Sequence, residues 1–323
     1  MILSSALCTV LFAQQFPPIK VPVRLVAVPT LVFSEQGNLL TGLNASNFQL
    51  TDNGHPQHFQ FDSNTPPVSL VLAVQASQSV RAYLPFVAKV GSTLDNSLLA
   101  ESGESAVLSY DSDVETLKTF GQGDLESAIK KIKPGAETAR MIDAGIAAVN
   151  LLKARPTNHA KLLVFIGQPY DSGSTTKFAA LATTAQRENI SVFAFVLPLY
   201  GKSFISDTFN IAGLPDAFYR GGYVASVELT KLGPALKRTA KIAAKSDPFA
   251  LLTSQTGGIE LHFRKQKDLE NAIIALGGAL HTTYTLTYSP NPLTSGYHSI
   301  TVTTNVPGAV THARSGYQLD LPQ

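Results

Sequence analysis

Val68-Ser69-Leu70-Val71-Leu72-Ala73-Val74 runs directly into Gln75-Ala76-Ser77-Gln78-Ser79. A run this short and this apolar reads as a strand buried on both faces, the kind found in the middle of a parallel sheet. Ala106 to Tyr110, Lys161 to Ile166 and Ser191 to Leu197 have the same character. Between them, Thr138 to Leu152 puts Met141, Ile142, Gly145, Ile146, Val149 and Leu152 on one helical face. Alternation of strand and helix predicts an α/β fold with a doubly wound, mostly parallel, Rossmann-like sheet. Val114 to Phe120 follows the second strand too closely for a crossover helix and is expected as an antiparallel edge strand.

Upstream of the sheet, Val21 to Leu50 alternates in β fashion, with Val23, Leu25 and Ala27 in one strand and Leu31-Val32-Phe33 in another. Phe48 to Thr51 and His58 to Phe61 read as a hairpin closed by Asp52-Asn53-Gly54, because Asn-Gly supplies the positive φ angles of a tight turn. Pro66-Pro67 stiffens the connector that follows. Downstream, Leu199 to Ala225 has no dominant period, and a connection that long is often functional. Val227 to Lys245 reads as an amphipathic helix with Leu229, Leu232, Leu236 and Ile242 on one side and lysines largely elsewhere, a solvated face over a packed stripe. Gly258 to His262 and Thr283 to Tyr288 are expected as the last two strands of the sheet, flanking a helix over Asp268 to Leu280. The chain then alternates again in Tyr297 to Thr303. The expected division is a leader over 1–15, an N-terminal β module over 16–66, the α/β body over 67–289 and a C-terminal β segment over 290–323 packing with the first module.

Composition narrows the functional classes. Of 323 residues, 25 are Lys or Arg and 23 Asp or Glu, a net charge of +2 and a charged fraction of 15%, against roughly 25% in ordinary soluble domains. No basic block is present, which argues against nucleic acid. Cys8 is the only cysteine, so disulfide frameworks and cysteine-based zinc sites are excluded. The apolar stretch from Ile2 to Ala13 matches a signal-peptide core and is too short for a transmembrane span of about 20 residues. Export to the periplasm, cell surface or medium is therefore expected. The missing basic region before Ile2 reads as a leader whose true start lies upstream, and the alternative is a buried N-terminal strand or a frayed tail.

Recognised catalytic signatures are missing. Tyr200-Gly201-Lys202-Ser203 resembles the end of a phosphate-binding loop, but Val196 stands where its first glycine belongs. Neither Gly-x-Ser-x-Gly nor His-Glu-x-x-His occurs. His55 and His58 flank a turn with no third ligand close in sequence. The expectation is a protein that is not an enzyme.

Gln75-Ala76-Ser77-Gln78-Ser79 after the first α/β strand resembles the corresponding loop of a von Willebrand factor A domain, and more specifically of the VWFA-related family of acidobacteria. Leu39-Leu40-Thr41-Gly42-Leu43, Asn47-Phe48, Asp52-Asn53-Gly54, Ser109-Tyr110-Asp111-Ser112, Pro134-Gly135-Ala136-Glu137-Thr138, Asp171-Ser172-Gly173-Ser174, Thr256-Gly257-Gly258, Tyr284 to Pro290 and Arg314-Ser315-Gly316-Tyr317 agree with that family in order. The resemblance implies a VWA-type sheet and a divalent cation, usually Mg²⁺, held by Asp-x-Ser-x-Ser, a Thr in the next loop and a later Asp. Ser77, Ser79 and Thr138 match its hydroxyls; Gln75 and Gln168 stand at its two acidic positions.

Mg²⁺ dehydrates reluctantly and prefers carboxylates, so a neutral set predicts no tight cation and no other cofactor. Asp111 or Asp171 are the only candidates for substitute ligands. Helix capping is the alternative role for Ser77, Ser79 and Thr138. The functional expectation is an exported interaction or adhesion module that binds a protein partner without obligatory metal. Gln75→Ala should then weaken partner capture. Cation-dependent adhesion and a structural role in cell-envelope assembly are the alternatives. Neither the partner nor the oligomeric state follows from the sequence.

Overall fold

A strand apolar along its whole length needs cover on both faces, and the computed structural model provides it. Residues 25–35, 38–63, 66–99, 103–197, 223–224, 247–262, 266–319 and 321 are described. The expected leader, the helix over Val227 to Lys245 and all of Leu199 to Ala225 except Tyr223–Val224 lie outside them.

The first module contributes β1 (Val26–Phe33), β2 (Phe48–Asp52), β3 (His55–Pro56) and β4 (Phe59–Asp62). The body follows with β5 (Val68–Gln75), α1 (Leu84–Lys89), α2 (Gly91–Leu94), β6 (Glu104–Tyr110), β7 (Val114–Gly121), α3 (Leu125–Lys130), α4 (Met141–Lys153), β8 (Ala160–Gly167), α5 (Phe178–Arg187) and β9 (Ile190–Val196). Next come β10 (Tyr223–Val224), α6 (Pro248–Thr256), β11 (Glu260–His262), α7 (Gln266–His281) and β12 (Tyr284–Tyr288), then β13 (Gly296–Thr304), β14 (Val310–Ala313) and β15 (Gly316–Leu319).

The large sheet has the order β10-β11-β9-β8-β5-β6-β7. Strands β6, β5, β8, β9 and β11 run parallel, and β7 is the expected antiparallel edge. Every residue of β5 is buried. Leu70, Leu72 and Val74 pack with Val87 of α1, Leu125 of α3 and Leu276 of α7. On the other face, Val71 and Ala73 pack with Val149 of α4, Leu181 of α5 and Phe249 of α6. Each such aliphatic side chain contributes roughly 1.5–3 kcal/mol by leaving water.

The chain goes from β5 to β6 on one side and returns to β8 on the other. That reversal puts the switch point of the sheet at the C-terminal ends of β5 and β8, the place where open α/β sheets receive ligands in a crevice.

The remaining strands form two small sheets, β14-β1-β12-β4 and β15-β13-β2-β3, packed over a common apolar core. Three expectations change here. Tyr284–Tyr288 belongs to a small sheet, paired with β1 and β4, rather than to the large one. Its burial alternates, with Tyr284, Leu286 and Tyr288 inward and Thr285 and Thr287 part-exposed, the pattern of a strand covered on one face only.

The Asn53-Gly54 turn forms with both residues at positive φ, yet its hairpin partner is only His55–Pro56. Phe59–Asp62 crosses to β12 instead. Buried Gln57 turns the chain away, donating to His55 O at 3.1 Å and Asn291 O at 2.7 Å. Phe61 then stacks on Tyr284 at 5.6 Å. Of the two N-terminal strands read from the sequence, Ala27 and Leu31-Val32-Phe33 fall in one continuous strand, β1, while Leu25 precedes it and Val23 lies outside the described residues.

Arg314 joins the small sheets to the large one. It donates to Asn189 Oδ1 at 2.8 Å and Gln186 O at 2.7 Å, at the end of α5. Its backbone approaches Gly257 so closely that a Cβ there would lie 2.9 Å from Arg314 N. The Thr256-Gly257-Gly258 and Arg314-Ser315-Gly316 motifs therefore meet in space.

Candidate functional site

Three loops converge at the crevice: 76–81 after β5, 134–140 before α4 and 168–174 after β8. Backbone bonds hold the first two together, Gly135 N to Ala76 O at 2.8 Å and Gln78 N to Ala136 O at 3.1 Å.

Gln75, Ser77, Ser79 and Gln168 come together as expected. Gln75 Oε1 accepts the backbone N–H of Gln168 at 2.6 Å. Its Nε2 faces Ser77 Oγ at 2.5 Å, Tyr170 Oη at 3.3 Å and Ser79 Oγ at 3.4 Å. Ser77 Oγ and Ser79 Oγ are 3.0 Å apart, and Ser79 donates to Gln168 Oε1 at 2.7 Å. Gln75 and Ser77 are 0% exposed and Gln168 only 1%, so a partner can reach this centre only through the half-exposed Ser79 and Tyr170. Gln75→Ala would act on a partner only through the loops.

Thr138 is exposed and does not join the cluster. Nor does it cap α4, which starts at Met141 with Arg140 at its N-cap and no side-chain cap from that residue. The first turn is satisfied from the 171–174 loop instead. Asp171 Oδ1 accepts from Ile142 N at 2.9 Å, and Ser174 Oγ from Asp143 N at 3.1 Å. Ser77 occupies the N-cap of a short 3₁₀ turn, Gln78–Val80, without a side-chain cap bond. Capping therefore does not explain these hydroxyls.

The candidate substitute ligands are engaged elsewhere. Asp171 Oδ1 also accepts from Ser174 Oγ at 2.6 Å. Asp111 accepts from Asp113 N at 3.0 Å and Ala136 N at 2.8 Å. It fills the space above Gly135, where any Cβ would collide with its carboxylate. Nearby Asp143 loses solvation by burial, but hydrogen bonds from Thr176, Thr175 and Arg140 outweigh that and hold its carboxyl well below the usual range.

The cluster offers hydroxyls and amides with no carboxylate, and among the described residues no group of three His, Cys, Asp or Glu could hold a metal. An inward-facing N–H₂ group at the centre is the opposite of what a hard cation requires. The residues present do not fit Mg²⁺.

Two participants escaped the sequence reading. Tyr170 supplies a third oxygen to the Gln75 amide. Tyr110, at the end of β6, brings a hydroxyl that is buried and has no hydrogen-bond partner among the described residues. Burial first, then the nearby Tyr170 and Asp171, pushes its ionisation well above the ordinary tyrosine value. Only the small residue at Gly167 hints at this crowding in the sequence.

Solved structures of other proteins are similar to this chain in fold. BatB of Bacteroides thetaiotaomicron is similar over 65% of this chain and 98% of its own, at 13% identity and a TM-score of 0.42. A protein of Catenulispora acidiphila is similar over 92% of this chain and 74% of its own, at 9% identity and 0.45. The vWF domain of the type V pili tip protein Mfa5 of Porphyromonas gingivalis is similar over 32% of this chain and 38% of its own, at 21% identity and 0.29. The second is a von Willebrand factor type A protein and the third a vWF domain. No protein-family model and no curated protein matches the chain. The fold assignment rests on the strand order itself, a doubly wound sheet with its crevice between β5 and β8.

Proposed function

We propose that this chain is a non-enzymatic interaction module of the von Willebrand A type, exported from the cell and working without an obligatory metal. The observation that carries the reading is the cluster at the switch point of the sheet. There Gln75, Ser77, Ser79 and Gln168 bond one another through neutral groups. Around this locked centre lies a rim of exposed Gln78, Glu137 and Thr138 with half-exposed Ser79 and Tyr170. A platform fixed from below binds a protein with little ordering cost, and its contacts would be hydrogen bonds from amides and hydroxyls. Among the described residues, no helix is long and apolar enough to cross a membrane.

The test is capture of one partner from envelope extract by the immobilised full chain, in the presence of EDTA. Gln78→Arg and Thr138→Arg change exposed side chains and should each abolish capture. If both leave it intact, while Tyr297→Arg or Val310→Arg on the small sheets removes it, the crevice reading fails and envelope assembly through the β module replaces it. Capture that needs Mg²⁺ would favour cation-dependent adhesion.

A further inference from the structure

We propose that the Gln75 carboxamide is a built-in occupant of the crevice, tying the loop hydroxyls together where a cation would otherwise be needed. Its chemistry, rather than the shape of the cluster, is what keeps a divalent ion out. This rests on the metal-free reading above.

Backbone geometry fixes the amide. An N–H cannot face an N–H₂ group, so the Gln168 N–H at 2.6 Å requires Oε1 on its side and sends Nε2 into the hydroxyl cluster. Donation then runs one way. The amide gives to Ser77 Oγ, Ser77 to Ser79 Oγ, and Ser79 to Gln168 Oε1. Tyr170 Oη completes the ring of oxygens around the amide nitrogen, 3.3 Å from it and 3.2 Å from Ser79 Oγ. One nitrogen thus gathers oxygens from the β5 loop and the β8 loop. Buried polar groups satisfied in this way hold loops rigidly.

On its other side, the Gln75 carbonyl lies against Gly167, and the Tyr110 hydroxyl, which has no hydrogen-bond partner among the described residues, lies against the same missing Cβ. A carboxylate of the same shape would keep the Gln168 N–H and have the Tyr110 donor close by. Its second oxygen would take the place of Nε2 without its protons, so the contacts to Ser77, Ser79 and Tyr170 could persist only if the carboxylate turned aside and a cation entered among these oxygens, with the negative charge a hard ion prefers. Gln75→Glu is therefore the discriminating change.

The experiment measures thermal melts and Mn²⁺ binding, by titration with paramagnetic detection, for the full-length wild type, Gln75→Glu and Gln75→Leu. Gln75→Glu should melt lower in EDTA, recover in Mn²⁺ and bind one equivalent. Wild type and Gln75→Leu should ignore Mn²⁺. A folded Gln75→Glu protein that ignores Mn²⁺ overturns the proposal. If that variant does not fold, hydrogen exchange of the wild-type side-chain amides decides. The Gln75 N–H₂ should exchange roughly a hundredfold more slowly than that of exposed Gln78, and equal rates overturn the proposal. Wild-type Mn²⁺ binding lost in Ser79→Ala would instead overturn the metal-free reading itself.

Discussion

Tyr110 reaches across the end of β5 to Gly167. A Cβ at that glycine would lie 2.3 Å from Tyr110 Oη and 2.9 Å from Gln75 Oε1. Gly167→Ala should therefore destabilise the protein by about 1–3 kcal/mol through overpacking. Tyr110→Phe deletes a buried hydroxyl without a partner among the described residues, so it should be neutral or stabilise by about 1 kcal/mol. It should also recover part of the Gly167→Ala loss. Urea denaturation of the two single variants and the double variant checks all three; a Tyr110→Phe protein less stable than wild type would show that the hydroxyl is in use.

Asp171 is hydrogen-bonded to the start of helix α4. It accepts the Ile142 N–H at 2.9 Å, so Asp171→Ala should cost about 1–2 kcal/mol, the loss expected when a helix N-terminus gives up its acceptor. The response to divalent cations should be the same as in wild type. A cation response that changed with this substitution would return Asp171 to the metal reading.

Acidity should stabilise one corner of the large sheet. Burial, and then the Glu260 charge, push the Asp247 carboxyl up to about 6 from 3.8, against hydrogen bonds from Ala250 and Phe249 and the attraction of His262. The folded protein therefore holds this proton more tightly than the unfolded chain does, and stability from this group falls as pH rises from about 4 to about 6. Asp247→Asn should flatten that part of the profile while keeping an acceptor for Ala250 N. Equal slopes for the two proteins, measured by denaturant midpoints between pH 4 and 7, would contradict this.

The small sheets depend on a polar centre. Buried Asp52 of β2 accepts Tyr288 Oη and Tyr317 Oη, both at 2.8 Å, and pairs with His298 Nδ1 at 2.7 Å. Asp52→Ala removes the acceptor these three groups share and should cost at least about 1–3 kcal/mol, the penalty for a buried polar group left unsatisfied. Arg314, whose pKa burial pulls down to about 10, should respond differently. Arg314→Ala should loosen the junction between the small sheets and the end of α5, seen as faster hydrogen exchange at Asn189 and Gly257.

The large sheet was legible because β5, β8 and β9 are apolar apart from Ser69 and Gln75, Lys161, and Ser191, and because Val114 follows Tyr110 too soon for a crossover. Thr283 to Tyr288 misled because a short β-branched and aromatic run reads as a strand without saying which sheet receives it; its alternating Thr285 and Thr287 held the answer. Phe59 to Phe61 left its hairpin because Gln57 found acceptors far along the chain at Asn291, which no local pattern reveals. At the site, Ser77, Ser79, Gln75 and Gln168 were found through spacing and resemblance. Thr138 fits the motif yet points to no shared contact, since Asp171 and Ser174 serve the start of α4. Tyr110 was missed because it reaches the centre from β6, and Tyr170, only two residues past Gln168, because the motif assigns no role to its position.

The central claim is that the crevice is complete without metal, and a thermal melt of the wild-type chain tests it directly. Scans with excess Mg²⁺, Mn²⁺ or Ca²⁺ should superimpose on the scan in EDTA. A cation at 100 times its Kd would stabilise the native state by about 2.7 kcal/mol, a shift that could not be overlooked. A rise with metal, reversed by EDTA, would contradict the account.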